Sequence, residues 1–405
     1  MNKKTHTSGP LTGVNVLDLT QGIAGPYCTK LLAGLGANVI KVEAAPNGDS
    51  TRSLGPYVDE DAHLEKSIPF LYLNTGKRSS TLDLNSAEAP NLLRDLAATV
   101  DLLVEDLDPK TRKQLEVSYD HYRENCPSLV VASVTHFGLT GPYADYLGEE
   151  IVDQALSGHM AITGEPDREP LRIGGDLSQY VTGQTAFVGA LMALYHSMIT
   201  GEGQQVDCSA LEASTDILDG EAILSLTQQP RVRWGNTTAD SFLRGRGGLY
   251  ETNDGWIALG QVPGGWDMFV EMIDDDRLRV PELADRATRI ARKDEIESIV
   301  EPWLLARSKI DIHEESQRRR NVSGYVALPE DILSSRHLAE REYFVDLDHP
   351  VAGSAPYAGA PYRFLGRDWY SERAPLLGEH NRSIYVDHLG MSPAIYQQLL
   401  DSNVI

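Results

Sequence analysis

Residues 13 to 43, GVNVLDLTQGIAGPYCTKLLAGLGANVIKVE, decide the fold class. GVNVLDLT (13–20) reads as a buried strand, QGIAGP as a glycine and proline turn, PYCTKLLAGLG as a helix opened by Pro26, and NVIKVE (38–43) as a second strand. Such a βαβ unit makes its strands parallel, and parallel strands are covered on both faces. SSTLDL (79–84), a helix through NLLRDLAATV, DLLVE (101–105) and SLVVASV (128–134) continue the alternation. The expectation is an α/β domain built on a largely parallel sheet.

Beyond this domain the character of the chain changes near residue 228. GGLYETNDGWIALGQ (247–261) signals a hairpin turning at Asn253, Asp254 and Gly255, and acid-rich and arginine-rich helices follow to about residue 323. The expected organisation is a large domain from residues 1–227, a smaller α+β domain from 228–325, and a C-terminal segment, 326–405, that returns to the large domain. A length of 405 residues is itself more than one ordinary core accommodates.

Composition limits the partners. With 36 basic and 59 acidic residues the formal charge is −23, which argues against nucleic acid or an anionic membrane surface. A phosphate-bearing ligand would need a local basic site or a helix end. Cys28, Cys126 and Cys208 form no CxxC pair, so neither a zinc site nor a disulfide framework is indicated, and no histidine pair has metal-ligand spacing. The polar MNKKTHTSGP start lacks an apolar leader core, and the most apolar helix (177–200) is interrupted by polar residues. A cytoplasmic protein without a membrane span and without a metal is expected.

The first βα turn invites a dinucleotide reading, with Gly22 and Gly25 between strand and helix and Glu43 ending the next strand. The third glycine of the fingerprint is missing, so a tight turn accounts for the segment better. No GxSxG elbow marks a nucleophilic serine. Glu149, Glu150 and Asp153 cluster where a helix begins, and the plainer explanation is an answer to that helix's dipole. More pointed is Asp176 in LRIGGDLSQYVTG (171–183), a carboxylate between a glycine pair and a long apolar helix on which Tyr180, Phe187, Leu191, Leu194 and Met198 share a face. It suits a helix cap as well as a nucleophile.

Taken in order, the βαβ stretch, GDSTR (48–52), NTGKRSSTLDL (74–84), ASVTHFGLTGPYAD (132–145), the Asp176 segment, HSMITGEGQQVDCSALEA (196–213) and PLLGEHN (375–381) make the chain resemble the class III CoA-transferases, the CaiB/BaiF family. The resemblance implies a Rossmann-like large domain and two subunits threaded through one another as interlocked rings. It implies an enzyme that moves CoA between carboxylic acids, with acyl-CoA and CoA as substrates and no tightly bound cofactor. Asp176 matches the family's nucleophile. Gly247 and Gly248, in FLRGRGGLY (242–250), match a glycine-rich covering loop, although they serve equally to begin the hairpin.

CoA contacts are implied at Gln21, Ile23, Ala24 and Leu82, with Asp106 and Arg112 in the next binding segment. That segment, EDLDPKTRKQL (105–115), departs from the family's ENFRPG pattern by placing Asp106 and Asp108 where asparagine or arginine is expected. Carboxylates beside a diphosphate cost roughly 1 kcal/mol or more unless Lys110, Arg112 or Lys113 compensates. Two alternatives remain. One is an acyl-CoA racemase, although Glu149 stands where racemases of this fold carry histidine. The other is a non-catalytic acyl-binding protein.

Overall fold

The computed structural model describes residues 9–218, 233, 235, 248–260, 265–364, 369 and 372–405. They fall into two compact units: the described parts of residues 1–159, 173–224 and 340–405, and those of 160–172 and 225–339. Through residue 216 the elements run β1 (Asn15–Leu19), α1 (Ala24–Gly34), β2 (Asn38–Ala44), α2 (Ile68–Leu73), β3 (Arg78–Leu82), α3 (Ala89–Ala97), β4 (Leu102–Glu105), α4 (Pro109–Gln114), α5 (Tyr119–Tyr122), β5 (Val130–Thr135), α6 (Glu150–Leu156), α7 (His159–Ile162), α8 (Leu177–Thr200), β6 (Gln205–Ser209) and α9 (Ala210–Asp216).

β1 to β6 form one parallel sheet in the order β3-β2-β1-β4-β5-β6. Leu17 of β1 faces Ile40 of β2 on one side and Leu103 of β4 on the other. Successive strand residues point to opposite faces, and here both faces are covered, which is why the strands read as unbroken apolar runs. Val16 and Leu17 are each 0% exposed yet belong to different cores. Leu17, Ile40 and Leu103 pack with Leu93 and Leu96 of α3 and with Ile384, Tyr385 and Leu399 near the C-terminus. Val16, Val39 and Leu102 pack with Cys28 and Leu32 of α1 and with Ala186 and Ala190 of α8.

α8 is the long helix expected after Asp176, and the large residues that share a face in the sequence lie only partly inside. Phe187 and Leu194 are buried, whereas Met198 is 75% exposed, and the rest of the inner face is Ser178, Thr182, Gly183, Ala186, Ala190, Ala193 and Ser197. Close approach to α1 explains the small residues. A Cβ on Gly183 would lie 2.4 Å from the Ala24 carbonyl oxygen, so no larger residue fits without moving the first turn of α1. Large apolar side chains are displaced to the outer face, where Val188, Met192, Tyr195 and Ile199 are exposed.

Buried ion pairs fasten the carboxyl ends of β1 and β2 to the loops that follow. Lys41 pairs with Asp49 at 2.7 Å, and Lys77 with Asp18 at 3.0 Å, all fully buried at the side chain. Burial opposes ionisation of Asp18, but Lys41 and Lys77 prevail and hold its carboxyl below the usual range. Glu43 takes Arg52 at 2.6 Å and the Ser79 hydroxyl at 2.6 Å. Its carboxylate is thereby engaged within the protein and is not the ribose-binding acid that the dinucleotide reading would require.

In the second unit, β7 (Gly248–Thr252), β8 (Gly255–Leu259) and β9 (Ser323–Tyr325) form an antiparallel sheet. Thr252 pairs with Gly255, which makes Asn253 and Asp254 the turn of the expected hairpin. Ile257 of β8, Phe269, Val300 and Ile312 share its core. β10 (Phe344–His349) and β11 (Gly353–Ala358) pair antiparallel in the first unit. Among the described residues no helix is long and apolar enough to cross a membrane.

Gly183→Ala is expected to destabilise the protein by about 1 to 3 kcal/mol through overpacking. Gly189→Ala, whose Cβ would meet only the Val206 Cγ1 at 3.0 Å, should cost less. Paired thermal melts of the two variants test this. Equal loss would show that the approach of α1 to α8 is not tight.

Candidate active site

The sheet order places β1 between β2 and β4, with chain connections leaving it in opposite directions. Open parallel sheets bind ligands in the crevice at that switch point, outside the carboxyl ends of the strands. A cleft of about 440 Å³ lies there, lined by Gln21, Ile23, Ala24, Asp106 and Arg112 together with His136 and Gln179. A larger hollow of about 620 Å³ opens at Asn38 and Arg78, the amino ends of β2 and β3, and so lies at the wrong end of the sheet for that chemistry.

Turn, helix end and acid build the cleft floor. The N-cap residue of α1, Ile23, makes no side-chain capping bond, so the first N–H groups of α1 are open to an anion. The Gln21 N–H donates to Asp106 Oδ2 at 2.7 Å and ties the β1 turn to the end of β4. Asp108 turns to its own helix, accepting from the Lys110 and Thr111 N–H groups at 2.9 and 3.1 Å. Arg112 is held by Glu105 at 3.0 Å and by the Leu107 carbonyl at 2.7 Å. Leu82 is fully buried in the core beneath the sheet and is not among the residues lining the cleft.

Asp176 is the N-cap residue of α8, yet its carboxylate makes no capping hydrogen bond. Gly175 before it has φ +75°, a left-handed turn that frees the chain to enter the helix abruptly. The cap comes from elsewhere. Glu150, at the start of α6, accepts the Ser178 N–H at 2.9 Å and the Gln179 N–H at 3.1 Å. Gln154, one turn on, donates to Glu150 at 2.6 Å and bonds the Ile173 N–H at 2.7 Å and carbonyl at 3.1 Å. The acidic cluster therefore serves the dipole of α8 rather than only that of α6, and leaves the Asp176 carboxylate unspent. Glu149 is exposed and caps nothing with its side chain.

Asp153, fully buried, completes the brace. It accepts from Gln179 Nε2 at 2.8 Å and lies 2.9 Å from His136 Nδ1, so one carboxylate orients both side chains where they line the cleft. His136 and Gln179 were not singled out as site residues by the sequence reading. Their common partner lies 17 and 26 residues away, a separation at which no local pattern exists.

Beside Asp176 stands a tyrosine cluster. The ring of Tyr180 meets Tyr27 edge-on at 4.9 Å and Tyr72 at 6.4 Å. Burial, then the Asp176 carboxylate, pushes the Tyr180 phenol up. Lys30 lies over the Tyr72 ring at 3.3 Å and donates to its carbonyl at 2.7 Å, and burial followed by Lys77 lowers its amine to about 7. Cysteine chemistry has no footing: burial pushes the Cys28 thiol up, and that of Cys208 up to about 12. Gly248 begins β7 in the second unit, and Gly247 lies outside the described residues.

A parallel α/β sheet with an open helix end at its switch point is suited to a phosphate-bearing ligand, and Asp176 adds a carboxylate that no cap consumes. The sequence profile described as CoA-transferase family III matches residues 11–381. The chain belongs to that family and is a CoA-transferase. It is 31% identical to the succinate–glutarate CoA-transferase of Agrobacterium fabrum, over 96% of this chain and 98% of the other. It is 33% identical to the BbsE subunit of the succinyl-CoA:(R)-benzylsuccinate CoA-transferase of Thauera aromatica, over 92% of each chain. A crystal structure of a CaiB/BaiF family protein from Brucella suis matches with TM-score 0.83 at 27% identity, covering 94% of this chain and all of that one.

Exchanging the two carboxylates by mutation separates their tasks. Glu150→Ala should lower stability by about 1 to 2 kcal/mol, because it leaves two helix N–H groups without a partner. Asp176→Ala should melt within about 0.5 kcal/mol of the parent, as surface substitutions do. A thermal melt that ranks them the other way would assign the cap to Asp176.

Proposed function

We propose that the protein moves CoA from an acyl-CoA donor to a carboxylic acid through covalent intermediates on Asp176. One carboxylate oxygen attacks the thioester carbonyl, the carbon–sulfur bond breaks, and CoA leaves as a thiolate from a mixed anhydride. The thiolate then attacks the aspartyl carbonyl and expels the donor acid, giving an aspartyl-CoA thioester. The acceptor carboxylate attacks that carbonyl, forms a second anhydride and frees the thiolate, which takes the acceptor acyl group and restores Asp176. Each step exchanges one bond to carbon for another, so no oxidant, metal or net proton is required.

The observation that carries this reading is the division of labour at the start of α8: Glu150 satisfies the helix N–H groups, and Asp176 keeps both oxygens for chemistry. The Asp176 carboxylate stands at the start of α8 with no capping hydrogen bond to consume it. CoA would lie along the switch-point cleft with its diphosphate over α1 and its thiol end toward Gln179 and Asp176. An anhydride must be kept from water, and Gly247 and Gly248 are proposed to belong to the cover. The relatives named above act on succinate, glutarate or benzylsuccinate, so succinyl-CoA with a second dicarboxylic acid is the first pair to try.

A homodimer is part of the proposal. Val188, Met192, Tyr195 and Ile199 recur at helical spacing on the outer face of α8, between 47% and 69% exposed, and a second copy of the chain would cover them. Three free cysteines suit a reducing cytoplasm.

Incubation with succinyl-CoA followed by hydroxylamine trapping and peptide mass spectrometry should place the adduct on Asp176. Asp176→Ala should exchange no CoA while remaining folded. A folded wild-type protein that binds CoA but yields no adduct at Asp176 with a panel of donors would overturn this mechanism.

A further inference from the structure

The residue that departs most from expectation in the cleft is Asp106, and its surroundings explain how an acid is tolerated there. It follows β4 and holds the turn that follows β1, so its 2.7 Å bond to the Gln21 N–H joins the two lips of the switch-point crevice. Among the described residues no cation pairs with it. Lys41, the nearest basic group on β2, is taken by Asp49 at 2.7 Å and by the Thr20 carbonyl at 2.7 Å. Arg112, on α4, is taken by Glu105 and the Leu107 carbonyl. The remaining charges near Asp106 are carboxylates: Glu105 beside it in the chain, Asp49 beneath, and Asp108 and Asp145 along the cleft. The open end of α1 offers only a partial positive charge, and His136 is engaged with Asp153.

We propose that Asp106 stands in the resting protein as a neutral carboxylic acid, fixing the Gln21 turn with one oxygen and offering its hydroxyl to the phosphate end of CoA. An asparagine there would supply the same shape, one acceptor and a donor, and a protonated aspartate reproduces that set. Burial is the main cause that raises this carboxyl well above the usual range. The Gln21 hydrogen bond and Lys41 oppose it, while Glu105 and Asp49 add to it. Once ionised, Asp106 would lose its donor and repel the diphosphate. CoA affinity is therefore built to fall as pH rises through the titration of this group. The inference rests on the assignment of the cleft as the CoA site.

The test compares CoA binding by the full-length wild type and Asp106→Asn, by calorimetry, from about pH 5.5 to about pH 8.5. Taking the ratio of the two dissociation constants removes the titration of CoA itself. The wild type should match Asp106→Asn at the acid end and bind about tenfold more weakly at the alkaline end, a difference typical of one charge close to a phosphate. A wild type that binds more weakly than Asp106→Asn by the same factor at every pH overturns the protonated Asp106, as does an asparagine variant that binds more weakly than wild type at every pH. Thermal melts of both proteins at each pH confirm that folded protein is compared. Binding of CoA by neither protein overturns the assignment of the cleft, and this inference with it, a result distinct from binding with a constant ratio.

Discussion

Parallel pairing of β1 with β2 on one side and β4 on the other is the constraint on which the rest of the structure depends. It forces the chain to leave the carboxyl ends of β1 and β4 in opposite directions, and the crevice between those exits cannot be filled by the sheet itself. The Gln21 turn, the open end of α1 and Asp106 form its floor. The same pairing buries each strand on both faces, so α1 and α8 must lie close over one of them. That closeness accounts for Gly183 and for the alanines of α8.

Charge is spent inside the first unit in a consistent way. Lys41, Lys77, Arg52 and Arg112 are each held by carboxylates or carbonyls, which leaves the cleft with backbone N–H groups as its positive feature. A protein of formal charge −23 thus presents a helix end, rather than a basic patch, to a phosphate-bearing ligand. Removing one member of a buried pair strands the other, typically at several kcal/mol, so Lys41, Lys77 and Arg52 serve the frame of the site.

The fold was legible because it is local. A strand, helix and strand within 31 residues, each with its own period and stop, carry their meaning without reference to distant residues, and the hairpin at Asn253 and Asp254 does the same. That α8 has an apolar face was legible, but which part of the helix lies inside was not. Periodicity reports that a helix has an apolar face, but which face is inside depends on how near the neighbouring helix comes, and α1 comes close enough at Gly183 to leave no room for a side chain. The cleft members Gln21, Ile23, Ala24, Asp106 and Arg112 were reached through resemblance rather than pattern, and Leu82 shows where that route and the geometry part, since it lies in the core.

The sequence alone determined a parallel α/β sheet, an acidic carboxylate at the start of a long helix, and an unusual aspartate at the end of β4. Tertiary structure decided what those acids do. Glu150 and Asp153 precede Asp176 by 26 and 23 residues, and only the folding of α6 against the start of α8 lets them take the helix N–H groups, His136 and Gln179. Hydrogen-bond partners of this kind are fixed by position in space. The sequence could therefore name Asp176 as cap or nucleophile, but only the fold relieves it of the first role.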